Sequence, residues 1–566
     1  MRSVAELAAA YVQASGVRQV FTYPGESIIE FMDALHARGV AVVSAVREGT
    51  AAFMAEGAAM ATGLPGICLS TLGPGSTAVL NGVASATLDR VPMLAISGQI
   101  ESNREQFFTH QVVDHARLFG PVTKAVLRLD PAAATWPDLL ARQSAGPSGR
   151  QSPDSAGMTP SPAEITIRKA LRTATAERPG AVHLTVTADT WSVPVGNDSP
   201  VGLPPLSLSL SAVAGSVDVY GEGDPLAALR AARRPILLAG VGALRCAAGP
   251  ALVRLAERAG IPVVSSPMAK GTFPEYHDYF AGVLDMTGQR VVWQFLDDAD
   301  LILTAGFDPV ELISPWSVST PVLHLDTTPN TDQIYASEHE LVGNVAALLD
   351  WVTTQWTGEP RWTAAEVAAH RNQLREAWLA GHIEGALNPS DVVTAAREAA
   401  PSDAILVTDV GSHKIMAGQV WQATEPRSVL MTNGLSAMGF GVPAAIGAKL
   451  AMPERPVIAL VGDGGFAMTA TEMRIAADLG APITVVVFAD RSLNRIELRQ
   501  QLLGLRATAT RVGETDIPAL AESLGCDGAR AETPAALEKA LAGFETRTRP
   551  LVIEARINTS EYEAQF

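Results

Sequence analysis

Short apolar runs rich in β-branched residues alternate along this chain with longer, Ala-rich amphipathic stretches, and that alternation restricts the fold more than any other feature. Pro235-Ile236-Leu237-Leu238-Ala239, Val457-Ile458-Ala459-Leu460-Val461 and Ile483-Thr484-Val485-Val486-Val487-Phe488 are examples of the short runs, and Val42-Val43-Ser44-Ala45-Val46 is another. They read as strands that are hydrophobic on both faces. Such strands need cover on both sides, and helices that carry the chain from one parallel strand to the next supply it. The fold class is therefore α/β. Because the pattern recurs in three blocks, three doubly wound parallel-sheet domains are expected.

At 566 residues the chain is too long for a single hydrophobic core. The first block covers residues 1–195 and is followed by a polar stretch, from about 196 to 223, that reads as a linker. The second covers 224–352. Residues 354–388 are helical by their charges and Ala content and lead into the third block, 365–566. Within the first block, residues near 142–162 are rich in Ser, Gly and Pro and read as an exposed insertion loop. A net charge of −17 argues against nucleic-acid or anionic-membrane partners, although a local pocket can still take a small anionic substrate. Cys68, Cys246 and Cys526 are far apart, form no CxxC pair and read as buried free thiols in a reducing compartment. Glu6 interrupts the first apolar run, which reads as an amphipathic helix and not as a signal peptide. No stretch approaches the roughly 20 apolar residues of a membrane span, so the expected location is the cytoplasm.

The strongest chemical signal is in the third block. The strand at Val457 to Val461 delivers Gly462-Asp463-Gly464-Gly465 at its carboxyl end, with a helix expected from about Thr471. Ligands of open α/β sheets bind at that edge, where glycines let backbone N–H groups approach an anion. An Asp there would repel a phosphate unless a divalent cation bridges the two, as magnesium does between carboxylate and diphosphate oxygens. The next strand ends at Ala489-Asp490-Arg491-Ser492, one strand–helix–strand repeat later, and brings a second carboxylate to the same edge. A lone Gly-Asp-Gly is as readily a tight turn capped by Asp; the second strand-end acid favours a metal site.

Gly462-Asp463-Gly464 followed at this distance by a polar pair resembles the signature of the thiamine-diphosphate enzymes, with Asp490 where the family's metal-binding Asn stands and Ala489 before it. The resemblance implies magnesium held by Asp463, Asp490 and the backbone carbonyl of Ser492. Tyr23-Pro24-Gly25-Glu26, Arg47-Glu48-Gly49 and Ser70-Thr71-Leu72-Gly73-Pro74-Gly75 look like the pyrimidine-binding domain of its acetolactate synthase branch, with Arg47 in place of the usual His. On that resemblance Glu48 is the acid that hydrogen-bonds N1′ of the aminopyrimidine and so prepares the 4′-nitrogen to take the C2 proton. Read without it, Glu48 is an ordinary helix glutamate beside small and apolar residues.

Asp409-Val410-Gly411-Ser412-His413 resembles the diphosphate-side loop, with Ser412 and His413 as phosphate donors. Asn433-Gly434-Leu435-Ser436-Ala437-Met438-Gly439 resembles the stretch that holds the cofactor bent. There Met438 is the wedge beneath the rings and the Ser436 carbonyl an acceptor; by itself Met438 reads as core packing. Gly240-Val241-Gly242 begins a dinucleotide fingerprint that Arg245 breaks. Ala305-Gly306-Phe307-Asp308-Pro309-Val310-Glu311 of the same block resembles the flavin-free catabolic acetolactate synthases more than the flavin-containing biosynthetic ones, so no FAD is expected. Phe108-Thr109-His110-Gln111 resembles those synthases too and places His110 and Gln111 near the active-site mouth, where a plain surface loop is the other reading.

The resemblance implies a decarboxylating carboligase that joins the acyl unit of a 2-oxo acid donor, most simply pyruvate, to a carbonyl acceptor. A simple 2-oxo acid decarboxylase and a non-catalytic family member are the alternatives. In the family Glu48 and Asp463 meet across a subunit interface, which implies a homodimer or homotetramer.

Overall fold

The computed structural model of the chain describes residues 2–135, 160–195 and 218–565, so most of the insertion near 142–162 and most of the linker lie outside the described residues. The chain divides into two compact units, Met1–Ser207 and Leu208–Phe566.

The main sheet of the first unit has six strands among the described residues: β1 (Gln19–Thr22), β2 (Ala41–Ser44), β3 (Gly66–Ser70), β4 (Met93–Gln99), β5 (Ala125–Leu129) and β6 (Ala181–Thr187). They pair in parallel in the order β2-β1-β3-β4-β6-β5. Ile67, Leu69, Leu94, Ile96, Val182 and Leu184 are almost fully buried and share one core with Ile167 and Leu171 of the helix Pro162–Thr175. That helix starts where it does because Ser161 caps it, its hydroxyl accepting from the Glu164 amide at 3.2 Å, with Pro162 in the first turn. Its buried positions 163, 167, 170, 171 and 174 fall on one face. The expectation of full burial fails at β2, where Ala41 and Ser44 are exposed, because this strand forms the sheet's edge.

Two histidines are buried in this unit. The His115 and His183 rings lie 5.3 Å apart, and His183 stacks on Phe119. His183 Nε2 bonds the Ser97 hydroxyl at 2.9 Å and His115 Nδ1 that of Thr185 at 3.1 Å. Burial pushes His115 down to about 4 and His183 well below its ordinary value. The unfolded chain takes up protons at these rings first, so their contribution is complete above about pH 6.5 and is lost as pH falls toward the folded values. Unfolding at pH 5 is expected to cost less than at pH 7.5, by roughly 2 kcal/mol from His115, with His183 acting in the same direction. Urea titrations of wild type and His183→Gln check this; equal pH slopes for the two would contradict it.

The second unit carries two sheets. The central one contains β7 (Asp218–Tyr220), β8 (Pro235–Ala239), β9 (Val263–Ser265), β10 (Phe280–Val283), β11 (Leu301–Ala305), β12 (Val322–Asp326) and β13 (Ser337–Val342), in the order β10-β9-β8-β11-β12-β13-β7. Only β7 runs antiparallel, closing the edge beside β13. It comes from residues read as linker, so that reading was too long at its carboxyl end. The third sheet contains β14 (Ile405–Thr408), β15 (Val429–Met431), β16 (Val457–Gly462), β17 (Ile483–Ala489), β18 (Asp527–Ala531) and β19 (Leu551–Arg556), all parallel, in the order β15-β14-β16-β17-β19-β18. This is the same winding as in the first unit. Between the two sheets the expected helical segment is narrower than its composition suggests: one helix spans Ala364–Trp378, opened by a Thr363–Glu366 capping box. Residues 457–461 are at most 1% exposed. Fully burying such side chains stabilises by about 1.5–3 kcal/mol each, which makes β16 a rigid platform for the turn that follows.

Among the described residues, no helix is long and apolar enough to cross a membrane. All three cysteines are free and buried.

Candidate cofactor site

In the third sheet the chain winds one way from β14 to β15 and the other way from β16 to β17. The loops leaving β14 and β16 therefore diverge and leave a crevice at their carboxyl ends, the topological switch point of a doubly wound sheet. A cavity of about 260 Å³ lies there. It is lined by Gly411, Ser412 and His413 after β14, by residues 462–465 after β16, and by Asp490 and Ser492 after β17. Ser436 and Met438 complete one wall.

Asp463 opens the helix Asp463–Thr469, so the helix begins eight positions before the expected start. The paired glycines are there for close approach and not to break the helix: a Cβ on Gly465 would lie 2.5 Å from Asp409 Oδ2. The Asp463 carboxylate accepts from the amides of Gly464 at 2.8 Å and Arg491 at 2.7 Å, which ties the turn after β16 to the turn after β17. Asp490 accepts from the Ser492 amide at 3.0 Å, and the Ser492 hydroxyl donates to Glu497. Burial pushes Asp490 up to about 7, with repulsion from Asp463 adding to it. Burial also raises Asp463. Two buried carboxylates that oppose each other's ionisation are the donor set a divalent cation relieves.

The anion side fits as well. The nine-residue helix Ser412–Val420 starts at the cavity with Gly411 as its N-cap, and no side chain caps it. His413 is buried, bonds the Asp409 backbone through its ring and has no partner for Nε2 among the described residues. Burial lowers it to about 3. The Ser412 hydroxyl donates to Asn494 Oδ1 at 2.6 Å. Ser436 holds a left-handed backbone (φ 52°), and its hydroxyl donates to the Asn433 carbonyl at 2.9 Å. Asp409 behaves differently from its neighbours. It does not line the cavity, and its carboxylate accepts from Val410 N at 2.7 Å and Gly439 N at 3.0 Å, so it holds the turn that carries Met438.

The first unit has the same switch, between β1 and β3. Gly25 follows β1, and a Cβ on it would stand 2.3 Å from Thr71 Cβ in the turn after β3. Glu48 is the first residue of the helix Glu48–Thr62 and is half-buried. Gly75 passes so close that a Cβ there would lie 3.3 Å from Glu48 Oε1. Gln111 has φ 59° and packs on Gly73, itself at φ 57°; His110 beside it is exposed. Gly25, Glu48 and the Thr71–Gly75 turn are thus gathered at one sheet edge, with Gln111 against it.

Profiles of the thiamine pyrophosphate (thiamine diphosphate) enzymes match three stretches: the N-terminal TPP binding domain over residues 2–118, the central domain over 225–352 and the C-terminal TPP binding domain over 409–555. The acetolactate synthase large subunit of Parasynechococcus marenigrum is 30% identical over 96% of this chain and 86% of its own length. The chain belongs to the thiamine pyrophosphate enzymes. The catabolic acetolactate synthase of Raoultella terrigena is 29% identical over 97% of this chain and 94% of its own. The large subunit from Haemophilus influenzae is 28% identical over 99% and 95%. This thiamine pyrophosphate enzyme is accordingly acetolactate synthase-like along nearly its whole length.

Several residues of the enzyme's cavity were not singled out in its sequence: Ile313, Lys414, Asn494, Arg495 and Tyr562. Ile313 and Tyr562 arrive from distant parts of the chain and carry no local motif. Asn494 had a signal, as a polar residue opening the helix Asn494–Leu502 just after a strand-end acid. The central domain has a third switch point, between β8 and β11, at Gly240-Val241-Gly242. There the buried carboxylate of Glu311 accepts from the Val241 amide at 3.0 Å and from the Asp308 amide at 2.9 Å. A side chain of this protein thus takes the amide that a dinucleotide phosphate uses in such a turn.

Proposed function

We propose that this enzyme is a magnesium- and thiamine-diphosphate-dependent carboligase that joins the acyl unit of a 2-oxo acid, most simply pyruvate, to a carbonyl acceptor. The observation that carries the reading is the pairing of Asp463 and Asp490 beside the uncapped start of the helix Ser412–Val420. Asp463, Asp490 and the Ser492 carbonyl hold magnesium, and Ser412 and His413 face the diphosphate, with Gly411, Gly462, Gly464 and Gly465 keeping the floor free of side chains. Bound thiamine diphosphate supplies an electron sink for decarboxylation and a carbon nucleophile. Glu48 holds a proton at the pyrimidine N1′. Met438 would pack beneath the rings, and the Ser436 carbonyl would accept from the 4′-amino group. Gly25, His110 and Gln111 border the substrate. The domains are read as 1–195, 224–352 and 365–566, and the working assembly as a homodimer or homotetramer. The central domain is read as flavin-free, which the Glu311 carboxylate on the Val241 amide supports.

Titration with thiamine diphosphate, with magnesium and with chelator, tests the cofactor assignment. At least ~10-fold weaker binding is expected without metal. Binding that ignores magnesium overturns the metal site. Incubation with pyruvate and a panel of 2-oxo acids and aldehydes, with products identified by mass, tests the reaction. Coupled products are expected; aldehyde and carbon dioxide alone would make the enzyme a simple decarboxylase.

A further inference from the structure

The last residues of the chain bring a tyrosine to this cavity. Tyr562 lines it together with Asp463, Asp490, Ser412 and His413. The side chain is only 4% exposed, yet its hydroxyl has no hydrogen-bond partner among the described residues. Leaving a buried hydroxyl unpaired costs about 1–3 kcal/mol, a cost that phenylalanine at this place would avoid.

The position is held firmly from both sides. Glu561, fully buried, accepts from the Ser390 hydroxyl at 2.5 Å and the Ser390 amide at 2.8 Å, and bonds His382 Nδ1 at 2.9 Å. Asn558 N donates to the Leu387 carbonyl at 2.8 Å. Gln565 accepts from the Gly288 amide at 3.1 Å and donates to the Ala377 carbonyl at 2.9 Å. These anchors fix the backbone on either side of the buried phenol. A phenol is protonated at neutral pH and so is a donor. A donor fixed at the wall of an anion cavity is matched by an acceptor-only ligand.

We infer that Tyr562 is a cofactor-binding residue whose hydroxyl donates to a phosphate oxygen of the diphosphate, so that the C-terminal segment forms one wall of the cofactor site. The inference rests on the cofactor reading above.

Tyr562→Phe separates a ligand contact from a structural one. In the cofactor-free protein the variant is expected to unfold at the same temperature as wild type or higher, because the hydroxyl it loses has no partner there. With saturating magnesium, the Kd for thiamine diphosphate is expected to rise about 10-fold, the loss of one hydrogen bond to a charged group. The Kd for magnesium pyrophosphate, measured by competition, should rise by the same factor, because the contact is to the diphosphate and not to the rings. Unchanged affinity for both ligands overturns the inference. So does a loss confined to thiamine diphosphate, which would place the hydroxyl against the rings, or a fall in the cofactor-free unfolding temperature, which would reveal a partner within the protein. If wild type itself fails to bind thiamine diphosphate, the cofactor reading falls and takes this inference with it. Failure of the variant alone to respond leaves that reading intact.

Discussion

Glu48→Gln is expected to lower turnover by roughly 10²–10⁴-fold while leaving thiamine diphosphate bound, the range a positioned acid contributes to proton transfer. Glu48 begins the helix Glu48–Thr62, and Gly75 leaves open the space beside its carboxylate. Glutamine fits that space and can still hydrogen-bond a ring nitrogen, but it cannot hold a proton there. The affinity should therefore change far less than the rate. Turnover and the cofactor Kd measured on one preparation decide the matter, and wild-type turnover in the variant would remove Glu48 from the mechanism.

Asp463→Asn is expected to weaken magnesium-dependent cofactor binding by roughly 100-fold, at least as much as losing a group that only orients a metal ligand. Asp490→Asn should cost under about 10-fold, since an amide oxygen still coordinates magnesium. The two carboxylates are unequal by geometry. Asp463 accepts from Gly464 and Arg491 and so ties two strand-end turns together, whereas Asp490 accepts from the nearby Ser492 amide within its own turn. Removing the charge of Asp490 also relieves its repulsion with Asp463 in the metal-free protein. Metal-free Asp490→Asn should therefore unfold at a higher temperature than wild type at pH 8. Calorimetric titration with magnesium and thiamine diphosphate, paired with thermal unfolding, checks both variants. Equal losses for the two would show that the acids are interchangeable.

The candidate site was legible where its chemistry is local. Gly462-Asp463-Gly464-Gly465 and Asp490 stand out because each ends a buried strand, and strand ends at one-repeat spacing share an edge in a parallel sheet. The helix start at Asp463 was not legible, because two adjacent glycines read as a break until Asp409 is seen filling the space a Cβ would need. The direction of the Asp409 carboxylate, toward the Gly439 amide, was not legible either, because it is set by a turn far along the chain. Tyr562 lies outside the motifs singled out in the sequence and becomes informative only through its burial and a hydroxyl with no partner among the described residues.

The sequence by itself determined the α/β class, the three mostly parallel sheets and the glycines and acids that end neighbouring strands. Periodicity and strand-end residues report local structure and burial, and these follow from interactions between near neighbours. Only the tertiary structure decided which turns share one crevice, that Glu311 occupies the Val241 amide at the switch point of the central sheet, and that Tyr562, from far along the chain, lines the cavity among those turns. Those outcomes depend on the order in which strands pair and on contacts between residues hundreds of positions apart, and no local pattern encodes them.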